Sequence, residues 1–129
     1  MSKLDDFLNL SDVTDITENI AVNIGGKTYN LVVRAISEDE HNEFQKRSNN
    51  INKNKMTFDS GKYKNLILES CIVEPNFKDA EFLKKVGCIS SSDFINKKFP
   101  AGVVSDIIEK IQKLSGFESY DVEIETAKN

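Results

Sequence analysis

The stretch IAVNIGGKTYNLVVRAIS, residues 20–37, decides the fold. Two runs rich in β-branched residues flank Gly25-Gly26, and both glycines tolerate the positive φ that a tight turn needs. The spacing predicts a β-hairpin with strands at about Ile20–Ile24 and Thr28–Ile36. Tyr29, Leu31 and Val33 fall on one face of the second strand, with Val32 and Arg34 on the other. A lone hairpin is only marginally stable in water, so this one must rest on helices or pair with another strand.

Helices follow it. Ser37 with Glu40 three residues later is a capping box, opening a mostly polar helix EDEHNEFQKRSNN anchored by Phe44 and Ile51. The run NNINKNKMTFDSG reads as a loop. The next helix is expected at Ser60–Val73, with Tyr63, Leu66, Ile67, Ser70 and Cys71 on one face. Leu68 and Ile72 widen that stripe, and Pro75 ends the helix by forcing the preceding residue out of helical geometry. KDAEFLKKVG is a short helix closed by Gly87. Ser91 or Ser92 caps another, which contains Phe94 and Ile95 and is broken by Pro100. The clearest helix is VVSDIIEKIQKLSGF, where Val103, Val104, Ile107, Ile108, Ile111 and Leu114 form one apolar stripe. Gly116 stands just past its end, and Phe117 is placed to fold back on Ile111.

The fold class expected is α+β: a mostly α-helical single domain with an N-terminal β-hairpin. Residues 19–117 form the globular unit, with the hairpin at 20–36 and a helical body at 38–117. Residues 1–18 form a mobile arm carrying a short amphipathic turn, Leu4, Phe7 and Leu8. Residues 118–129 form an acidic tail whose Tyr120, Val122 and Ile124 alternate as in an edge strand. The chain has 129 residues, enough for one ordinary domain. Its net charge is −4, which argues against nucleic acid as the main partner. The charge is uneven: residues 1–18 hold five acids against Lys3, and residues 118–129 hold four against Lys128. The middle, with 15 basic and 12 acidic residues, is mildly basic. No apolar run suits a signal peptide or a membrane span. A cytoplasmic protein with free thiols is therefore expected.

Little in the chain suggests catalysis. Cys71 and Cys88 stand 17 residues apart without a Cys-x-x-Cys, and His41 is the sole histidine, so no zinc ligand set is expected. Cys71 reads as a buried small hydrophobe, Cys88 as the more exposed of the two, and His41 as solvated. Gly25-Gly26-Lys27-Thr28 ends like a phosphate-binding loop, but Ala21 stands where that loop has a glycine, and a strand follows rather than a helix. The acids at 38–40 are explained by a helix N-terminus. No cofactor, metal or catalytic residue is expected. The aromatics Phe77, Phe82, Phe94, Phe99 and Phe117 suit a core, yet short helices cannot bury them all, and some are expected to line a groove for a partner helix.

From Tyr63 onward the blocks KYKNLILESCIVEPNFKDAEFLKKVGC and DFINKKFPAGVVSDIIEKIQKLSGF resemble the XkdN-like phage tail assembly chaperones. The resemblance rests on an apolar helix ending before Pro75, the Asp79-Ala80-Glu81 segment running to Gly87, a short helix, the turn at Pro100–Gly102, and a last helix ending in Gly116-Phe117. The start at Leu4, Phe7 and Leu8, the hairpin and the acid-rich helix opening also fit. The Phe99-Pro100-Ala101-Gly102-Val103 turn departs from the family pattern, which often has Leu before the turn and an acid after its glycine.

The resemblance implies a non-enzymatic accessory protein of tail assembly in a phage, prophage or phage-tail-like particle. Such a protein binds the tape-measure protein and keeps it soluble in the host cytoplasm until tail tube protein polymerises around it. Leu4, Phe7, Leu8, Phe77, Phe82, Phe94 and Phe99 are the partner-binding candidates on this reading. The partners implied are the tape-measure and tail tube proteins, with self-association also open, and neither nucleic acid nor membrane. The competing reading is a structural tail completion or connector subunit that stays in the particle.

Overall fold

The computed structural model describes residues 2–117. Strands β1 (Thr17–Ile24) and β2 (Lys27–Arg34) pair antiparallel from Thr17↔Arg34 to Ile24↔Lys27. The chain turns through Gly25 and Gly26 at φ 62° and 84°, and Asn23 Oδ1 accepts from the Gly26 N–H at 3.1 Å. β1 starts earlier than expected, at Thr17, while β2 runs from Lys27 and ends at Arg34 rather than Ile36; the Ala35 N–H donates to the Ile16 carbonyl beyond it. Ahead of it, residues 5–7 and 13–15 form single 3₁₀ turns.

Helix α1 (Glu38–Ser48) opens with the expected capping box: Ser37 accepts from the Glu40 N–H and Glu40 reaches back to the Ser37 N–H. It ends at Ser48, whose buried hydroxyl donates to the Phe44 carbonyl at 2.7 Å. The run expected to be a loop is instead a second hairpin, β3 (Asn49–Asn52) with β4 (Lys55–Phe58), turning through Lys53 and Asn54 at φ 50° and 66°. Every residue of it is exposed, so no buried face imposes a readable alternation. Ile51 is therefore no helix anchor and lies on β3, 76% exposed.

Helix α2 (Ser60–Cys71), capped by Asp59, stops two residues earlier than expected. Ile72–Glu74 forms β5, which pairs antiparallel with β2 through Val33↔Ile72 and Val32↔Glu74. The first hairpin is thus two strands of a three-stranded sheet ordered β1-β2-β5. Helix α3 (Ala80–Val86) ends at Gly87, at φ 73°. Helix α4 (Ser91–Lys98) is capped by Ser90 rather than Ser91 or Ser92, which are buried. Ser92 instead donates to Glu69 of α2 at 2.7 Å.

Helix α5 (Ala101–Leu114) ends in a Schellman motif, with Phe117 N–H on the Gln112 carbonyl at 3.0 Å and Gly116 N–H on Lys113 at 3.1 Å. The Phe117 ring lies 5.3 Å from that of His41. The expected tail strand at Tyr120–Ile124 lies outside the described residues.

The core forms where the sheet meets α2 and α5. Leu31 and Val33 of β2 and Val22 of β1 join Ile67 and Leu68 of α2 and Ile107 and Ile111 of α5 in one buried cluster. Ile95 brings in α4, and Phe44 brings in α1. Each such side chain contributes about 1.5–3 kcal/mol on burial. Arg34, at the end of β2, ties the sheet to α1 through two hydrogen bonds to Glu40, at 2.9 and 2.8 Å.

Candidate partner-binding groove

The four phenylalanines Phe77, Phe82, Phe94 and Phe99 come from four segments of chain and converge. Phe82 on α3 and Phe94 on α4 sit edge to face at 4.9 Å, and Phe77, after β5, lies 5.2 Å from Phe94. Phe99, between α4 and α5, approaches Phe77 at 6.1 Å and Phe94 at 6.2 Å. Local chemistry places each ring. The Asp79 carboxylate accepts from the Phe82 N–H and starts α3, while Ser90 accepts from the Asp93 N–H and starts α4. Aromatic pairs in these arrangements add about 0.5–1.5 kcal/mol each beyond their burial.

All four rings are half-buried. They form one wall of a groove of about 330 Å³. Ile24, Tyr29, Asn30 and Leu31 of the hairpin line it as well, and Pro75 and Lys98 complete the lining. Lys27 Nζ stands 5.5 Å over the Tyr29 ring beside it. The open cleft between β1 and α5 is more polar, lined by Asp106, Glu109, Lys110 and Lys113 as well as apolar residues. The Phe groove is the better site for an apolar ligand, because its specificity would come from shape and aromatic contact rather than charge.

The other predicted site residues stand apart from it. Leu4, Phe7 and Leu8 lie on the N-terminal 3₁₀ turn, 67–79% exposed, and none lines the groove. Leu10, not singled out from the sequence, is exposed alongside them. Tyr29, Leu31 and Ile24 were also missed as groove residues. Their place on the hairpin was readable, but nothing local says that α3 and α4 face that part of the sheet.

One polar expectation is corrected. His41 is not a solvated side chain: its Nδ1 lies 2.7 Å from the Tyr63 hydroxyl and its ring touches those of Tyr63 and Phe117, so it joins α1 to α2 and to the end of α5. Cys88 is the more accessible of the two cysteines, at 9% against 0% for Cys71, although both are buried. Both thiols are free, and burial pushes that of Cys71 up to about 12, which removes it as a nucleophile at neutral pH. Among the described residues no group of three or more His, Cys, Asp or Glu side chains is placed to hold a metal ion. No described helix is long and apolar enough to cross a membrane.

The architecture is shared. The crystal structure of the protein yqbn superimposes with a TM-score of 0.64 at 17% identity, over 92% of this chain and 99% of that one, a likeness of fold. No curated protein matches the chain. The sequence profile described as "Phage XkdN-like tail assembly chaperone protein, TAC" matches residues 4–128, covering the arm, the sheet, the groove-forming helices and α5. With the order of elements and the matched span in agreement, the chain belongs to the phage XkdN-like tail assembly chaperone family.

Proposed function

We propose that this tail assembly chaperone holds apolar segments of the tape-measure protein in the Phe77–Phe82–Phe94–Phe99 groove, keeping that long helical client soluble in the host cytoplasm before tail tube polymerises around it. The observation that carries the reading is the groove itself, an apolar trough of about 330 Å³ walled by four half-buried rings. An amphipathic helix laid in such a trough presents side chains at i, i+3 and i+4 to it. At ~25 cal/mol per Å², covering a few hundred Å² of apolar surface yields several kcal/mol, much of it offset by ordering costs. Modest sites repeated along a client would hold it and still release it to tail tube protein. Holding of this kind needs no nucleotide and no bond chemistry.

Co-expression with the tape-measure protein of the same particle tests this. The expected result is a soluble client that co-elutes with the chaperone, and loss of that complex on Phe82→Asp while the variant keeps its far-ultraviolet circular dichroism. An insoluble client, together with recovery of this protein from purified particles, would refute it in favour of a structural tail subunit.

A further inference from the structure

We infer that, in the absence of client, the N-terminal arm of a second copy of this chain occupies the phenylalanine groove, so that the free protein associates head to tail. The inference goes beyond client binding and stands whatever the client is.

The arm and the groove are two unpartnered apolar features with matching charge. Leu4, Phe7, Leu8 and Leu10 are exposed on a segment whose residues 2–16 carry four acids, Asp5, Asp6, Asp12 and Asp15, against Lys3. The groove-forming segment, residues 75–102, carries five lysines and three acids. Two of those acids are engaged locally, Asp79 on the Phe82 N–H and Asp93 on the Ile89 N–H and Lys97. Lys98 lines the groove directly and Lys27 stands over Tyr29 at its edge. An acidic apolar strap thus meets an apolar trough edged with lysines. The size fits as well. The groove, at about 330 Å³, is roughly twice the ~150 Å³ that holds one benzene ring, room for Phe7 and a neighbouring leucine.

The topology favours a second copy over the chain's own arm. The arm leaves the sheet at Thr17, paired with Arg34, whereas the groove is lined by Ile24 and Tyr29 near the Gly25-Gly26 turn and by Leu31 in mid-strand, opposite Ile20. Seven residues of strand, roughly 23 Å, separate Thr17 from Ile24. The arm is also shortened by its turns at residues 5–7 and 13–15, and its apolar side chains stand exposed while its own groove is open. An arm of one copy in the groove of the next is a heterologous contact. Repeated, it gives open chains or rings rather than a closed two-fold dimer, from which a client segment entering the groove would displace the arm.

Sedimentation velocity on the full chain without client tests this. An arm variant, Phe7→Asp/Leu8→Asp, and a groove variant, Tyr29→Glu/Lys98→Glu, change only exposed residues, and circular dichroism checks that both fold. The wild-type mass is expected to climb continuously above 14.5 kDa with concentration, and each variant alone to stay at 14.5 kDa. Mixed in equal amounts, the two variants retain one intact arm and one intact groove per pair, so they are expected to form a species of twice 14.5 kDa and nothing larger. A wild type that stays monomeric at every concentration, as an arm folded into its own groove would give, overturns the inference. So does association that survives in either variant alone, or a mixture that stays monomeric. Loss of client binding in the co-expression experiment leaves this result unchanged, so the two readings fail separately.

Discussion

Replacing Glu40 with Gln should weaken the fold in a way that depends on pH. Glu40 accepts from both terminal nitrogens of Arg34, at 2.9 and 2.8 Å, and from the Ser37 N–H at 3.2 Å. It therefore closes the N-terminus of α1 and binds the end of β2 at once. The substitution keeps the shape of the side chain, removes the charge and sets an amide donor among donors. Hydrogen bonds to charged groups contribute about 1.5–3 kcal/mol. This pair is only partly buried, 16% and 26% exposed, and solvent screening trims the figure to about 1–2 kcal/mol. With a urea m-value of about 2 kcal/mol/M for a domain of this size, the midpoint should fall by about 0.5–1 M at pH 7.

The pH dependence follows from the same contact. The Arg34 hydrogen bonds hold the Glu40 carboxyl below its ordinary value, against the opposing effect of burial, and the Ser37 contacts lower it further. The unfolded chain therefore binds the proton more tightly than the native one. The stabilisation is complete above the unfolded value of ~4.3 and is lost as pH falls through the lower native value. Urea unfolding followed by circular dichroism at pH 7 and pH 3 should show the gap between wild type and Glu40→Gln closing at the lower pH. Arg34→Met should add little once Glu40→Gln is present. A gap of equal size at both pH values, or no shift at pH 7, would refute the reasoning.

Other parts of the fold make separate predictions. Ile107→Ala removes a fully buried side chain from the centre of α5 and should lower stability by about 2–5 kcal/mol, while Ile89→Ala, at a site 91% exposed, should change it by less than ~0.5 kcal/mol; denaturant midpoints for the pair check both. Gly116→Val places a β-branched residue at φ 92° with nothing within 4 Å of the new Cβ, so its cost of more than ~1 kcal/mol would be backbone strain alone; an unchanged urea midpoint would remove Gly116 as the helix stop. Cys71, with its thiol at about 12, should resist an aromatic disulfide reagent at pH 8 in the native protein and react at once in urea; rapid native labelling, located by mass spectrometry, would contradict the buried packing of α2. Deleting residues 2–11 should leave the melting temperature nearly unchanged, because those residues are all exposed and the hydrogen bonds of residues 5–10 run within the arm; a drop of more than ~4 °C would show that the arm supports the domain.

Much of the local structure was legible because its causes lie within a few residues. Gly25-Gly26 dictates the first turn, Ser37 and Glu40 the start of α1, and Gly116 the end of α5, each through backbone geometry that a neighbour three to five positions away completes. The stripe from Val103 to Leu114 marks α5 as a core helix by its period alone. The four phenylalanines were also legible as more aromatic surface than short helices can hide.

Long-range pairing was not legible. Ile72-Val73-Glu74 continues an apolar run and reads as the last turn of α2; it becomes a strand because Val32 and Val33, about 40 residues earlier, offer a free edge. The β3–β4 hairpin has no buried face and turns on Lys53-Asn54 without a glycine, so no sequence period betrays it. The groove exists only because the fold brings Tyr29 and Leu31 of the first hairpin to line the same trough as Phe77, Phe82 and Phe94. The sequence by itself determined the first hairpin turn, the start of α1 and the end of α5, through forces that act within one turn of chain. Only the tertiary structure decided which surfaces meet, since that depends on how the whole set of apolar faces can be buried together.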